Sequence, residues 1–166
     1  MLILIALYVA EVPKLWIYPV MPNKNPEKFS IILFSGDFDR IHYALVIASA
    51  AAAIDIPVTL FFTMGASRAL LATPENAWQY LSGGVIAKKE ETGGDINRKL
   101  EKRNIATFEE LLQACVSLEV KFMVCEMGLE AMDLNGEPLR SDVPVKSGGI
   151  VTFLNDAYKN GQMIFI

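Results

Sequence analysis

Lys121-Phe-Met-Val-Cys125-Glu-Met-Gly-Leu-Glu-Ala-Met-Asp133 is the stretch on which the reading of this chain turns. A short apolar run, readable as a buried strand, ends on Cys125, and a helical pattern begins immediately after it. Strand-to-helix junctions are where α/β proteins present chemistry. A thiol there lies near the backbone N–H groups and positive dipole end of a helix, which favour its thiolate. The adjacent Glu126 carboxylate works against that effect.

Outward from this junction the same alternation repeats. Ser30 to Ser35 is an apolar strand, and Gly36-Asp37-Phe38-Asp39 is a turn with Asp37 or Asp39 as N-cap. A helix follows to about Ile54, with Ile41, Ala44, Leu45 and Ala48 at helical spacing. Val58 to Thr63 is a second strand, and Met64-Gly65 turns the chain into another helix. Pro74, capped by Thr73, opens a short helix to about Leu81. Residues 83–104 read as a polar, solvated insertion, with helix at Ile96–Lys102. Thr107-x-x-Glu110 is a capping box for a helix to Leu118. After Asp133, Val143-Pro144-Val145 is extended, Ser147 caps a helix over Gly148–Lys159, and Met163–Ile166 is a last strand. Alternating strands and helices predict an α/β fold on a mostly parallel sheet of about five strands, spanning residues 29–166.

Composition agrees. Of the 166 residues, 52% are hydrophobic and 20% charged, which suits a sheet buried on both faces. The excess of apolar residues also favours self-association. A net charge of -4, without a basic stripe, argues against nucleic acid as a partner. Two cysteines and one histidine leave a metal ion without a ligand set, and no cofactor motif is present. Cys115 lies on an apolar helical face as core filling. The intervening strand carries Cys125 on the order of 15 Å from it, beyond the roughly 7 Å between Cα atoms that a disulfide spans. A reducing cytoplasm is the expected compartment.

Residues 1–28 stand apart. Met1 to Ala10 is almost wholly apolar, but Glu11, Pro13 and Lys14 cut it short of a transmembrane segment. It reads as an extra edge strand or hairpin, as an arm packed on a neighbouring subunit, or as translated leader ahead of a natural start at Met21.

In a parallel sheet, ligands gather beyond the carboxyl ends of the strands. Three turns belong to that edge, and they give the candidate pocket: Ser35, Gly36 and Asp37; Thr63, Met64 and Gly65; Glu126 and Met127, beside Cys125. Gly36 and Gly65 allow close backbone approach to a bound group. No phosphate-binding glycine loop is present. His42, in the first turn of its helix, pairs with Cys125 if the two strands adjoin; otherwise it is a partly exposed helix residue. Cys125 itself has a plain alternative as a buried small hydrophobe.

The segments SGDFD (Ser35–Asp39), FFT-x-G (Phe61–Gly65), FEELLQACVSLEVKFMVCEMGLEAMDL (Phe108–Leu134) and SGGIVTFLNDA (Ser147–Ala157) resemble the DsrE/DsrF/DsrH-like family, in its larger branch often labelled peroxiredoxin-like. The resemblance covers residues 29–166. It implies a three-layer α/β/α sandwich, a cytoplasmic homo-oligomer or hetero-oligomer, and a role in sulfur traffic. In it a cysteine, here Cys125, accepts sulfane sulfur as a persulfide and passes it between donor and acceptor proteins. The larger branch shows a C-x-M-S-M run, and this chain keeps Cys125 and Met127 but has Gly128 and Leu129 in the last two places. A non-catalytic binding subunit and a thiol-dependent redox protein remain open beside the sulfur relay.

Overall fold

The computed structural model describes residues 26–157 and 161–166. The expectations for residues 1–25 lie outside the described residues. Five strands form one parallel sheet: β1 (Phe29–Leu33), β2 (Val58–Phe62), β3 (Lys121–Cys125), β4 (Val145–Gly148) and β5 (Gln162–Phe165), in the order β4-β3-β2-β1-β5. The helices are α1 (Phe38–Ala53), α2 (Gly93–Glu101), α3 (Phe108–Ser117), α4 (Glu126–Ala131) and α5 (Ile150–Ala157). Two 3-10 turns, Met64–Leu70 and Ala77–Tyr80, follow β2.

Period-two alternation divides the sheet residues between two layers. Ile31, Leu33, Val58, Leu60, Phe62, Phe122 and Val124 face α1 and α3 and form the larger core with Ile41, Leu45, Phe108 and Leu112. Phe61, Met123 and Cys125 face the other way, where α5 supplies Phe153 and Ala157. The strand order explains this asymmetry. β1 to β4 step in one direction, and right-handed crossovers put their helices on one face. The return from β4 to β5 runs the opposite way and carries α5 across the other face. The result is a three-layer α/β/α fold with one layer thin.

Local sequence accounts for most element boundaries. At α3, the Thr107 hydroxyl accepts from the Glu110 N–H while the Glu110 carboxylate accepts from the Thr107 N–H at 2.7 Å, the capping box expected there. α2 carries a second such box, Thr92 with Asp95, and buries Ile96. It therefore starts before the expected Ile96.

Two expectations need correction. The helical turn after Pro74 begins only at Ala77, behind Asn76 at φ 55. Ser147 caps no helix but is the third residue of β4, paired with Val124. Asp37 does occupy the N-cap of α1, yet its side chain makes no cap bond. It accepts instead from the Ser35 hydroxyl at 2.9 Å.

Candidate functional site

Cys125 is the last residue of β3 and pairs with Gly148, the last of β4. At this point the chain leaves β3 for α4, whose Leu129 joins the larger core, and leaves β4 for α5 on the opposite face. Diverging connections open a crevice at the carboxyl edge of such a sheet. A cavity of ≈ 580 Å³ lies there, lined by Glu126, Met127, Glu130, Glu137 and Ser147 among others. Three carboxylates make it acidic, so it suits no anion.

The Cys125 side chain does not open into that cavity. It points to the thin layer and is only 2% exposed, in a buried cluster with Phe61, Met123, Phe153 and Ala157. The Phe153 ring stacks on Phe61 with centroids 4.5 Å apart. Both cysteines are free thiols. Cys115 lies across the sheet in the larger core, where burial pushes its thiol up to about 12 and its Sγ contacts the Leu45 carbonyl at 3.6 Å.

His42 does not meet Cys125. Its Nε2 is 2.8 Å from the Ala106 carbonyl oxygen and its ring lies against Phe38, within the layer on the opposite side of the sheet. Burial lowers its pKa, against the opposing effect of the Ala106 contact. Nor is it partly exposed, being 7% accessible. The Cys125–His42 pair, open from sequence only if their strands adjoin, is therefore absent, and β2 lies between β1 and β3. The cause is parity: Cys125 shares a sheet face with Met123, whereas α1 packs on the face of Phe122 and Val124.

The remaining pocket residues separate into two groups. Glu126 and Met127 line the crevice beside β4. Gly36, Asp37 and Gly65 line a second cavity of ≈ 510 Å³ at the carboxyl ends of β1 and β2, with Arg68, Tyr80 and Met132. Ser35 serves Asp37, Thr63 is buried, and Met64 takes the left-handed φ of 49. The glycines answer to packing rather than to a bound group. A Cβ on Gly65 would lie 2.8 Å from the Gly36 nitrogen. A Cβ on Gly128 would lie 2.5 Å from Thr63 Oγ1 and 2.7 Å from the Met64 nitrogen, so a serine at this position is sterically blocked.

One group escaped the sequence reading. On α5 the Asp156 carboxylate accepts from Lys28 Nζ, from the Thr59 hydroxyl at 2.6 Å and from Lys121 Nζ at 3.0 Å. Burial acts to raise its pKa, but these three donors outweigh it and hold the carboxyl at about 2. The available signal was an acid three residues after Phe153, one turn along the same helix. Its partners lie far apart in sequence. Among the described residues no cluster of three or more His, Cys, Asp or Glu side chains is placed to hold a metal ion, and no helix is long and apolar enough to cross a membrane.

Comparison with known proteins follows this architecture. The sequence model of the family described as DsrE/DsrF/DrsH-like matches residues 25–76 and 85–165. An uncharacterized protein of Bacillus subtilis (strain 168), YrkE, is 26% identical over 161 residues, covering 87% of this chain and 99% of that protein. The sulfur carrier protein DsrE2 of Allochromatium vinosum is 24% identical over 126 residues, covering 65% of this chain and 79% of that protein. Two solved structures share the fold. The ychN protein from E. coli has a TM-score of 0.55 at 14% identity, covering 84% of this chain and 98% of that one. MTH1491 from Methanobacterium thermoautotrophicum, a protein of unknown function, has a TM-score of 0.50 at 13% identity, covering 84% and 98%.

Proposed function

This chain belongs to the DsrE/DsrF/DrsH-like family, and from that premise we propose that it is a sulfur carrier whose Cys125 holds sulfane sulfur as a persulfide. The observation that carries the reading is the position of Cys125 at the carboxyl end of β3, the strand-to-helix junction beside which the connections of β3 and β4 part to opposite faces. The sulfur carrier DsrE2 among its relatives supports the same reading.

The reaction is an exchange at sulfur with no net redox change. The Cys125 thiolate attacks the outer sulfur of a donor persulfide and forms a new S–S bond. The donor's S–S bond breaks and the donor leaves as a thiolate. Attack by an acceptor thiolate on the outer sulfur of Cys125 then returns Cys125 to its starting state. No cofactor and no partner base is needed, and His42 has no part in it. Donor and acceptor are proteins of the same cytoplasmic compartment. Self-association belongs to this reading, supported by the exposed apolar residues Phe34, Met163 and Phe165 beside Val151 and Leu154.

The test is incubation of the full chain with a persulfide donor, followed by peptide mass analysis. One sulfur atom added to the Cys125 peptide, lost on reduction and absent in Cys125→Ser, is the expected result. No added sulfur there would overturn the reading. The burial of Cys125 favours a second reading, a binding subunit in which this thiol is structural. In that case it stays inert to every thiol reagent until the protein unfolds.

A further inference from the structure

The two thiols are both buried, but under unequal cover. Cys115 belongs to α3 and faces the larger core, with its Sγ against the Leu45 carbonyl of α1. Cys125 shares its buried cluster with Phe61 and Met123 of the central strands and with Phe153 and Ala157 of α5. The strands are held by paired ladders on both sides. The eight described residues of α5 bury Phe153 and Ala157. Helices of fewer than about 12 residues do not persist without tertiary support. Its attachment includes the Phe153–Phe61 stack, the burial of Ala157 and the three hydrogen bonds of Asp156.

Those three donors are arranged with regularity. Lys28 immediately precedes β1, Thr59 lies in β2 and Lys121 in β3. One carboxylate on α5 thus ties the helix to three adjacent strands. These donors lie at the amino ends of the strands, so Asp156 holds the far end of α5, one turn beyond Phe153, and its loss lowers the cost of lifting the helix as a whole.

We propose that α5 is a gate over Cys125 and that Asp156 is the pin holding it shut. Access to the thiol then requires only α5 to leave the sheet, with the larger core intact. The purpose of such a gate rests on the carrier reading of Cys125: a persulfide sealed in an apolar layer is kept from water and from adventitious thiols, and is released where a partner displaces the helix. The mechanical statement stands apart from that reading, because accessibility is measurable without any sulfur transfer.

Cys115 supplies the internal control. The folded full chain is treated with excess N-ethylmaleimide, without denaturant, and the modification of each cysteine is followed by peptide mass analysis. Each rate is divided by that of the same cysteine in urea. Gate opening predicts that Cys125 reacts at least about tenfold faster than Cys115. It also predicts that Asp156→Asn, which removes the charge from these hydrogen bonds, speeds Cys125 by a further factor of roughly ten and leaves Cys115 unchanged. Lys121→Gln, which removes the charge of one exposed donor, speeds Cys125 by a smaller factor and serves if Asp156→Asn does not fold. Equal rates for the two cysteines, a substitution that speeds both alike, or a Cys125 that stays unmodified would each overturn the gate. Gate opening without sulfur loading would sink the carrier reading alone, and loading without selective exposure would sink the gate alone.

Discussion

Phe153 lies almost parallel to Phe61, the planes 19° apart and the centroids separated by 4.5 Å. This contact anchors α5 to the centre of the thin layer, and Phe153 has no exposed surface. Phe153→Ala empties a site that the short helix cannot refill, at a cost of about 3 kcal/mol. Phe165→Ser, on an exposed apolar ring of β5, changes monomer stability by no more than about 0.5 kcal/mol. Urea unfolding of the two variants checks the contrast, and comparable losses would show that α5 is not so anchored.

Gly128 stands where the larger branch of the family carries serine. The space a Cβ would need is taken by Thr63 Oγ1 and the Met64 backbone nitrogen. Gly128→Ser is expected to destabilise the chain by roughly 1 to 3 kcal/mol through overpacking. Gly136→Ala, at an open position with positive φ, costs only the backbone strain of about 1 kcal/mol. The midpoints of chemical denaturation decide it, and a neutral Gly128→Ser would show that α4 shifts freely.

Acid should weaken the fold in two steps. The His42 pKa is depressed, so its contribution is complete above the ordinary value of about 6.5 and is lost as the pH falls below it. The Asp156 pKa is depressed to about 2, so its contribution is complete above the unfolded value near 3.8 and is lost as the pH falls from there toward 2. Allowing for partial contact with water, the Asp156 step amounts to roughly 1 to 2 kcal/mol. Stability measured between about pH 8 and pH 2 should lose its upper step in His42→Gln and its lower step in Asp156→Asn. An unchanged profile in both would refute the assignment.

Arg140 forms a bidentate pair with Glu109 on α3, at 2.7 and 2.8 Å, and reaches Asp142 as well. The same Glu109 accepts from the Trp78 indole. With its guanidinium only 11% exposed, Arg140 fastens the segment after α4 to the larger core. Lysine cannot reproduce the fork, and Arg140→Lys should cost about 1 to 2 kcal/mol. Thermal unfolding checks this, with Arg98→Lys at an exposed pair on α2 as the near-neutral comparison.

Much of the architecture was legible locally. The capping box at Thr107 and Glu110, the apolar strands and the alanine-rich face of α1 all announce themselves within a few residues. β4 did not, because Val145-Lys-Ser-Gly is a half-exposed edge strand whose serine also reads as a helix cap. The site was legible only in part. The place of Cys125 at the end of β3 followed from sequence. Its separation from His42 did not, since which sheet face receives α1 is settled by the handedness of the crossovers. The Asp156 cluster was hidden for a similar reason: Lys28, Thr59 and Lys121 converge only once three strands are side by side.

The pairing of β1 with β5 has a consequence for synthesis. β1 lies inside the sheet, yet one of its two neighbours is the strand made after every other described strand. While the chain emerges from the ribosome, β1 can take β2 as a partner early, but its other side stays bare until Gln162–Phe165 arrives. Until β5 is made, β1 thus keeps one bare edge, an opening for wrong partners in the nascent chain.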